Sequence, residues 1–108
     1  MLIYVDIDET ICFHEHTDGA RDYTKATPSK PRIDKINKLY DEGHTIIYWT
    51  ARGTVTGIDW TELTKSQLQK WGAKHHDLKL GKPAYDLFID DKNINSDRFF
   101  NEDIGDRT

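Results

Sequence analysis

Two acids one residue apart, in Asp6-Ile7-Asp8-Glu9-Thr10, follow directly on the apolar run Leu2 to Val5. Carboxylates at the end of a buried segment are costly unless a cation or hydrogen-bond donor compensates them. In a chain with 14 aspartates about one or two such pairs arise by chance, so position rather than composition gives this one meaning. Thr50, in Thr50-Ala51-Arg52-Gly53, follows the run Thr45 to Trp49 and offers a hydroxyl to a phosphoryl oxygen, although a threonine there serves more often as a cap or turn residue. Arg52 is placed to contact a substrate, with a surface ion pair as the equally open reading. Lys82, in Gly81-Lys82-Pro83, is a turn cation, with Lys79 as its competitor. Asp90 and Asp91 close the run Asp86 to Ile89 and repel each other unless a metal or a lysine sits between them.

The elements that must position these groups alternate in type. Leu2 to Val5 and Thr45 to Trp49 read as strands buried on both faces. A weaker strand is expected over 77–80 and a strong one over 86–89. Between the first two, residues 13–30 are polar and turn-rich, which predicts a loop. Ser29 and Pro31 then open a segment whose Ile33, Ile36, Leu39 and Tyr40 share a helical face closed by Gly43. Asp59-x-x-Glu62 resembles a capping box before a stripe of Trp60, Leu63, Leu68 and Trp71 that stops at Gly72. A short helix is expected around 98–101, then a frayed acidic end. Strands alternating with helices predict an α/β fold with a central parallel sheet, in which ligands bind at the carboxyl ends of the strands. Every residue singled out above falls at or just past such an end.

The order DIDET, TIIYWTARG, GKP and DLFIDD resembles the four motifs of the haloacid dehalogenase superfamily over about residues 1 to 95. It is most similar to the small capless members associated with polysaccharide biosynthesis. The resemblance implies a three-layer Rossmann-like fold without a cap domain. It implies Asp6 as nucleophile, Asp8 as general acid and base, and Thr50, Ala51, Arg52 and Lys82 around the phosphate. A Mg2+ site would draw on the Asp6 carboxylate, the main-chain carbonyl of Asp8, and Asp91 supported by Asp90. Asn95 stands where many relatives carry a further Asp, and Glu9 where a glycine is common. The expected activity is magnesium-dependent hydrolysis of a phosphomonoester through an aspartyl-phosphate, on a sugar phosphate or related metabolite. The 3′ phosphate of a polynucleotide is the second substrate class, and a non-catalytic binding module of the same fold is the reading from outside enzymology.

Composition narrows the rest. At 108 residues one domain with one core is expected over 1–108. A net charge of −4 gives no basic surface for wrapping nucleic acid. Cys12, the single cysteine, has no internal disulfide partner and suits a reducing setting. With no signal-like opening and no apolar stretch long enough to span a bilayer, the expectation is a cytoplasmic protein without a membrane partner. The order of acids disfavours a receiver domain, and Asp8 and Asp91 favour phosphate chemistry over dehalogenation. His14, His16, His75 and His76 lack the partner spacing of a structural zinc site. Trp60 and Trp71 read as core residues. A site without a cap is expected to be open, which suits a large substrate or cover by a second copy of the chain.

Overall fold

The computed structural model describes residues 1–15 and 21–101. His16 and Gly19 of the expected polar loop, and the acidic tail 102–108, lie outside the described residues. Three parallel strands form the sheet, β1 (Leu2–Val5), β4 (Thr45–Trp49) and β5 (Asp77–Lys79), in the order β1-β4-β5. The register pairs Leu2 with Thr45 and Val5 with Tyr48, then Ile47 with Asp77 and Trp49 with Lys79. All three strands therefore end at one edge of the sheet, which is where the motif residues begin. A small antiparallel pair, β2 (Cys12–Phe13) with β3 (Thr27–Pro28), lies between β1 and the first helix.

Helix α1 (Lys30–Asp41) starts after Ser29 with Pro31 in its first turn and buries Ile33 and Ile36. Helix α2 (Thr61–Lys70) buries Thr64, Gln67 and Leu68. Both helices end alike, with a glycine at positive φ: His44 N donates to Leu39 O and Gly43 N to Tyr40 O, just as Ala73 N donates to Leu68 O and Gly72 N to Gln69 O. This paired closure satisfies carbonyls that the last helical turn leaves without partners. The expected capping box forms only in part. Asp59 accepts from Thr61 N at 2.9 Å, whereas Glu62 stays exposed. Helix α3 (Ser96–Asn101) is held on α1 by Lys35 Nζ, which donates to Phe99 O at 2.8 Å, and by Arg32, paired with Asp97 at 3.0 Å and set over the Phe100 ring.

The core joins Val5, Ile7 and Ile11 to Ile33 and Ile36 of α1, Ile46 and Tyr48 of β4, and Leu68 of α2. Cys12 packs in it with no exposed surface, as a small hydrophobe. No helix among the described residues is long and apolar enough to cross a membrane.

One expected element is not formed. Residues 86–89 follow an irregular path, with Leu87 and Ile89 in solvent and Phe88 resting beside the Tyr85 ring. A three-residue apolar run bounded by acids at both ends carries no periodicity that separates a buried strand from an apolar surface patch. Burying it as a strand would also bring Asp86 and Asp90 toward the interior, at a desolvation cost. Among the described residues the structure is thus a small α/β fold with a three-stranded parallel sheet and three α-helices.

Candidate active site

Asp6 is the first residue past β1. Ile7 is fully buried, so Asp6 and Asp8 share the opposite side of the extended chain. The chain then turns: Thr10 N and Ile11 N both donate to Ile7 O, at 3.1 and 2.9 Å. The turn needs a left-handed residue, and Glu9 takes φ 60°. A glycine, common at this place in the motif that the sequence resembles, would take that φ at no steric cost. Glu9 is held in it by its N–H donating to Cys12 O at 2.8 Å and by its carboxylate accepting from His14 N at 3.1 Å.

Six expected residues, Asp6, Asp8, Thr50, Ala51, Arg52 and Lys82, line one cavity of about 280 Å³. Arg21, Tyr23 and Tyr85 are also in its wall. Asp6 is the more open acid. Thr10 donates to its Oδ2 at 3.0 Å, and Lys82 Nζ lies 3.4 Å from its Oδ1. Lys82 is fixed by its own backbone, whose N–H donates to Thr50 O at 3.1 Å, so the chain past β5 folds back against the end of β4. Lys79, the other candidate lysine, is exposed at the end of β5 and outside the cavity wall. Thr50 is buried and its Oγ1 accepts from Arg52 N at 3.1 Å, leaving its own O–H to donate.

Asp8 sits deeper. Arg52 grips it from both sides, Nε to Oδ2 at 3.0 Å and Nη2 to Oδ1 at 2.8 Å, and His14 Nε2 is 2.8 Å from Oδ1. Burial by itself raises the Asp8 carboxyl. The hydrogen bonds and charge of Arg52, together with His14, outweigh it and hold the group below the ordinary carboxylate value. Beside it the Cys12 thiol is pushed up to about 12 by burial and by the Asp8 charge, which makes it an inert thiol.

Two groups of expected site residues are placed differently from the expectation. Arg52 does not present its guanidinium to a phosphate. Its side chain has no exposed surface, and Nη1 is spent on Thr64 Oγ1 at 3.1 Å and Gln67 Oε1 at 2.6 Å, so all of its N–H groups face protein acceptors. Asp90 and Asp91 are exposed and outside the cavity wall, because the strand that would carry them to the sheet edge is not formed. Of the residues expected around Mg2+, Asp6 and Asp8 line the cavity and Asp90 and Asp91 do not. Asn95 is not part of the cavity wall either; its side chain accepts from Asp97 N at 2.9 Å and caps α3.

Sequence reasoning missed His14, Thr64 and Gln67. His14 lacks the sequence spacing of a structural zinc site, yet the chain through β2 brings Asp8, Cys12 and His14 donor atoms within 4.8 Å of one another. The Asp8-x-x-x-Cys12-x-His14 spacing was the available signal. The Arg52 guanidinium already supplies the positive charge at that cluster. His75 and His76 are structural, one edge-on to Tyr48 and the other stacked on Tyr40.

No protein-family model matches the chain, and no curated protein does. Its fold is similar to the crystal structure of an MCSG target protein from Vibrio cholerae, with a TM-score of 0.80 and 21% sequence identity over 97% of this chain and 91% of that one, a likeness of fold alone.

Proposed function

We propose that the protein is a cytoplasmic phosphomonoester hydrolase of the haloacid dehalogenase type, in which Asp6 attacks phosphorus and Asp8 moves the proton. The observation that carries this reading is the division of labour between two acids in one cavity. Asp6 is accessible, with the Lys82 ammonium 3.4 Å away, and Asp8, with a side chain 10% exposed, is held in place. An accessible carboxylate beside a cation suits nucleophilic attack on an anionic phosphate, whose repulsion must be offset. Lys82 and the Thr50 hydroxyl stand where they can stabilise the transferring phosphoryl oxygens. The P–O bond to the alcohol breaks as Asp6 bonds to phosphorus, and water then hydrolyses the aspartyl-phosphate.

A cavity of about 280 Å³ fits a small phosphate ester, and a sugar phosphate is the substrate class proposed. A panel of sugar phosphates, nucleotides and 3′-phosphorylated oligonucleotides tests it. Turnover confined to oligonucleotides would replace the small-metabolite reading. Asp6→Asn removes the nucleophile with almost no change of shape, so turnover should vanish while the fold persists; an active Asp6→Asn protein would sink the assignment. Magnesium is proposed as the cofactor on the strength of the motif resemblance. Titrating Mg2+ against wild type and Asp91→Ala tests it, and identical titrations would take Asp91 out of the site.

A further inference from the structure

Burying a guanidinium is expensive unless every donor finds an acceptor. That requirement explains why α2 turns Thr64 and Gln67 inward, at positions that its apolar stripe leaves out: both accept from Arg52 Nη1. The far face of the guanidinium lies 4.7 Å from the Tyr23 ring, in the short helical turn Tyr23–Lys25. Gln67 Nε2 donates to Tyr23 O at 2.7 Å and so ties that turn to α2. Arg52 therefore joins Asp8 to α2, and both Arg52 and His14, whose ring stands edge-on to Tyr23, join it to the Tyr23–Lys25 turn.

The two oxygens of Asp8 are used unequally. Oδ1 receives Arg52 Nη2 and His14 Nε2, each at 2.8 Å, with Cys12 Sγ at 3.6 Å. Oδ2 receives Arg52 Nε alone, at 3.0 Å. A carboxylate oxygen has two lone-pair sites, so Oδ1 is saturated and Oδ2 keeps one open.

Resting on the phosphatase reading, we propose that Arg52 and His14 are positioning residues that saturate Asp8 Oδ1 and leave Oδ2 as the atom through which every catalytic proton passes. In hydrolysis of the aspartyl-phosphate, water bonds to phosphorus and its proton goes to Oδ2, while the electron pair of the breaking P–O bond returns to Asp6. In the next cycle that proton leaves Oδ2 for the alcohol oxygen, which departs with the pair of its own P–O bond. The cycle closes without another acid.

Pre-steady-state release of nitrophenol from p-nitrophenyl phosphate tests this, because that leaving group departs without a proton whereas the following hydrolysis needs Asp8 as base. Arg52→Lys keeps the charge and loses the fork that grips both oxygens. His14→Phe keeps a ring and loses the bond to Oδ1, and it is the readable variant should Arg52→Lys fail to fold. In each, the initial nitrophenol burst should keep a rate close to that of wild type while steady-state turnover slows on the order of 10- to 100-fold, and an alkyl phosphate should lose in its first step as well. Burst and steady state falling together, or neither falling, would overturn the positioning role. A wild-type protein that releases no nitrophenol overturns the phosphatase reading itself.

Discussion

Replacing each acid of the pair by its amide should separate stability from activity. In Asp6→Asn the ion pair touched among the described residues is the 3.4 Å contact with Lys82, on a carboxylate 36% exposed, and such pairs contribute about 0–1 kcal/mol. In Asp8→Asn a guanidinium with no exposed surface loses the anion it grips, itself only 10% exposed. Breaking a buried pair while leaving one charge behind costs about 3–5 kcal/mol, and the remaining amide oxygen brings this toward the lower end. At about 4–8 °C per kcal/mol for a domain of this size, Asp8→Asn should melt roughly 10–20 °C below wild type and Asp6→Asn within about 5 °C of it. Thermal unfolding followed by circular dichroism reads both. The gap should also depend on pH. The folded Asp8 carboxyl is held below the ordinary value of 3.8 that the unfolded chain shows, so its stabilisation is complete above that value and is lost as the pH falls through the lower, folded one. The Asp8→Asn deficit should therefore shrink on acidification. Equal melting temperatures for the two amides, or a deficit that grows toward acid, would refute the argument that the Asp8–Arg52 pair is buried and ionised.

Three more outcomes follow from single contacts. Tyr48→Phe should stabilise the fold by about 1 kcal/mol, read in urea unfolding, because the buried Tyr48 hydroxyl has no hydrogen-bond partner among the described residues. Gly53→Ala should cost at least about 2 kcal/mol in the same assay, because φ is +81° there and a Cβ would be driven into the Ile58 carbonyl. Cys12 should resist thiol-specific reagents at neutral pH until the protein is unfolded, since its thiol is buried and pushed up to about 12; prompt labelling of folded protein would contradict its burial.

The strands and helices that were legible in the sequence are those whose pattern is set by the core. Leu2 to Val5 and Thr45 to Trp49 pair in parallel, and Ile33 and Ile36 face inward as their spacing predicts. The run 86–89 was not decidable, because three apolar residues between acids look the same in a buried strand and on a surface. Within the site, the sequence reading of Asp6, Asp8, Thr50 and Lys82 brings together residues that line one cavity. Arg52 was legible as a position and not as a role. Whether an arginine beside a strand end meets a substrate or an internal acid depends on what α2 turns toward it, and Thr64 and Gln67 break the apolar stripe that helix periodicity seeks.

A pair of acids one residue apart is close to a chance event in so acidic a chain, and the fold gives it chemical meaning by treating its members differently. Alternation about the buried Ile7 puts Asp6 and Asp8 in one cavity, and the turn at Glu9 then carries the chain away so that β2 can return Cys12 and His14 to the second acid but not the first. The Asp6 side chain is 36% exposed with an ammonium 3.4 Å away, the setting of a group that must change its bonding partner. Asp8 keeps a rigid fork and an imidazole, the setting of a group that must stay in place while protons come and go. Under the proposed chemistry those are the two roles required, and the distinction rests on a cation of different type at each acid: Lys82 at Asp6 as a point charge, and Arg52 at Asp8 as a planar clamp. Exchanging the two cations, as Lys82→Arg with Arg52→Lys, should therefore not preserve function although it preserves charge.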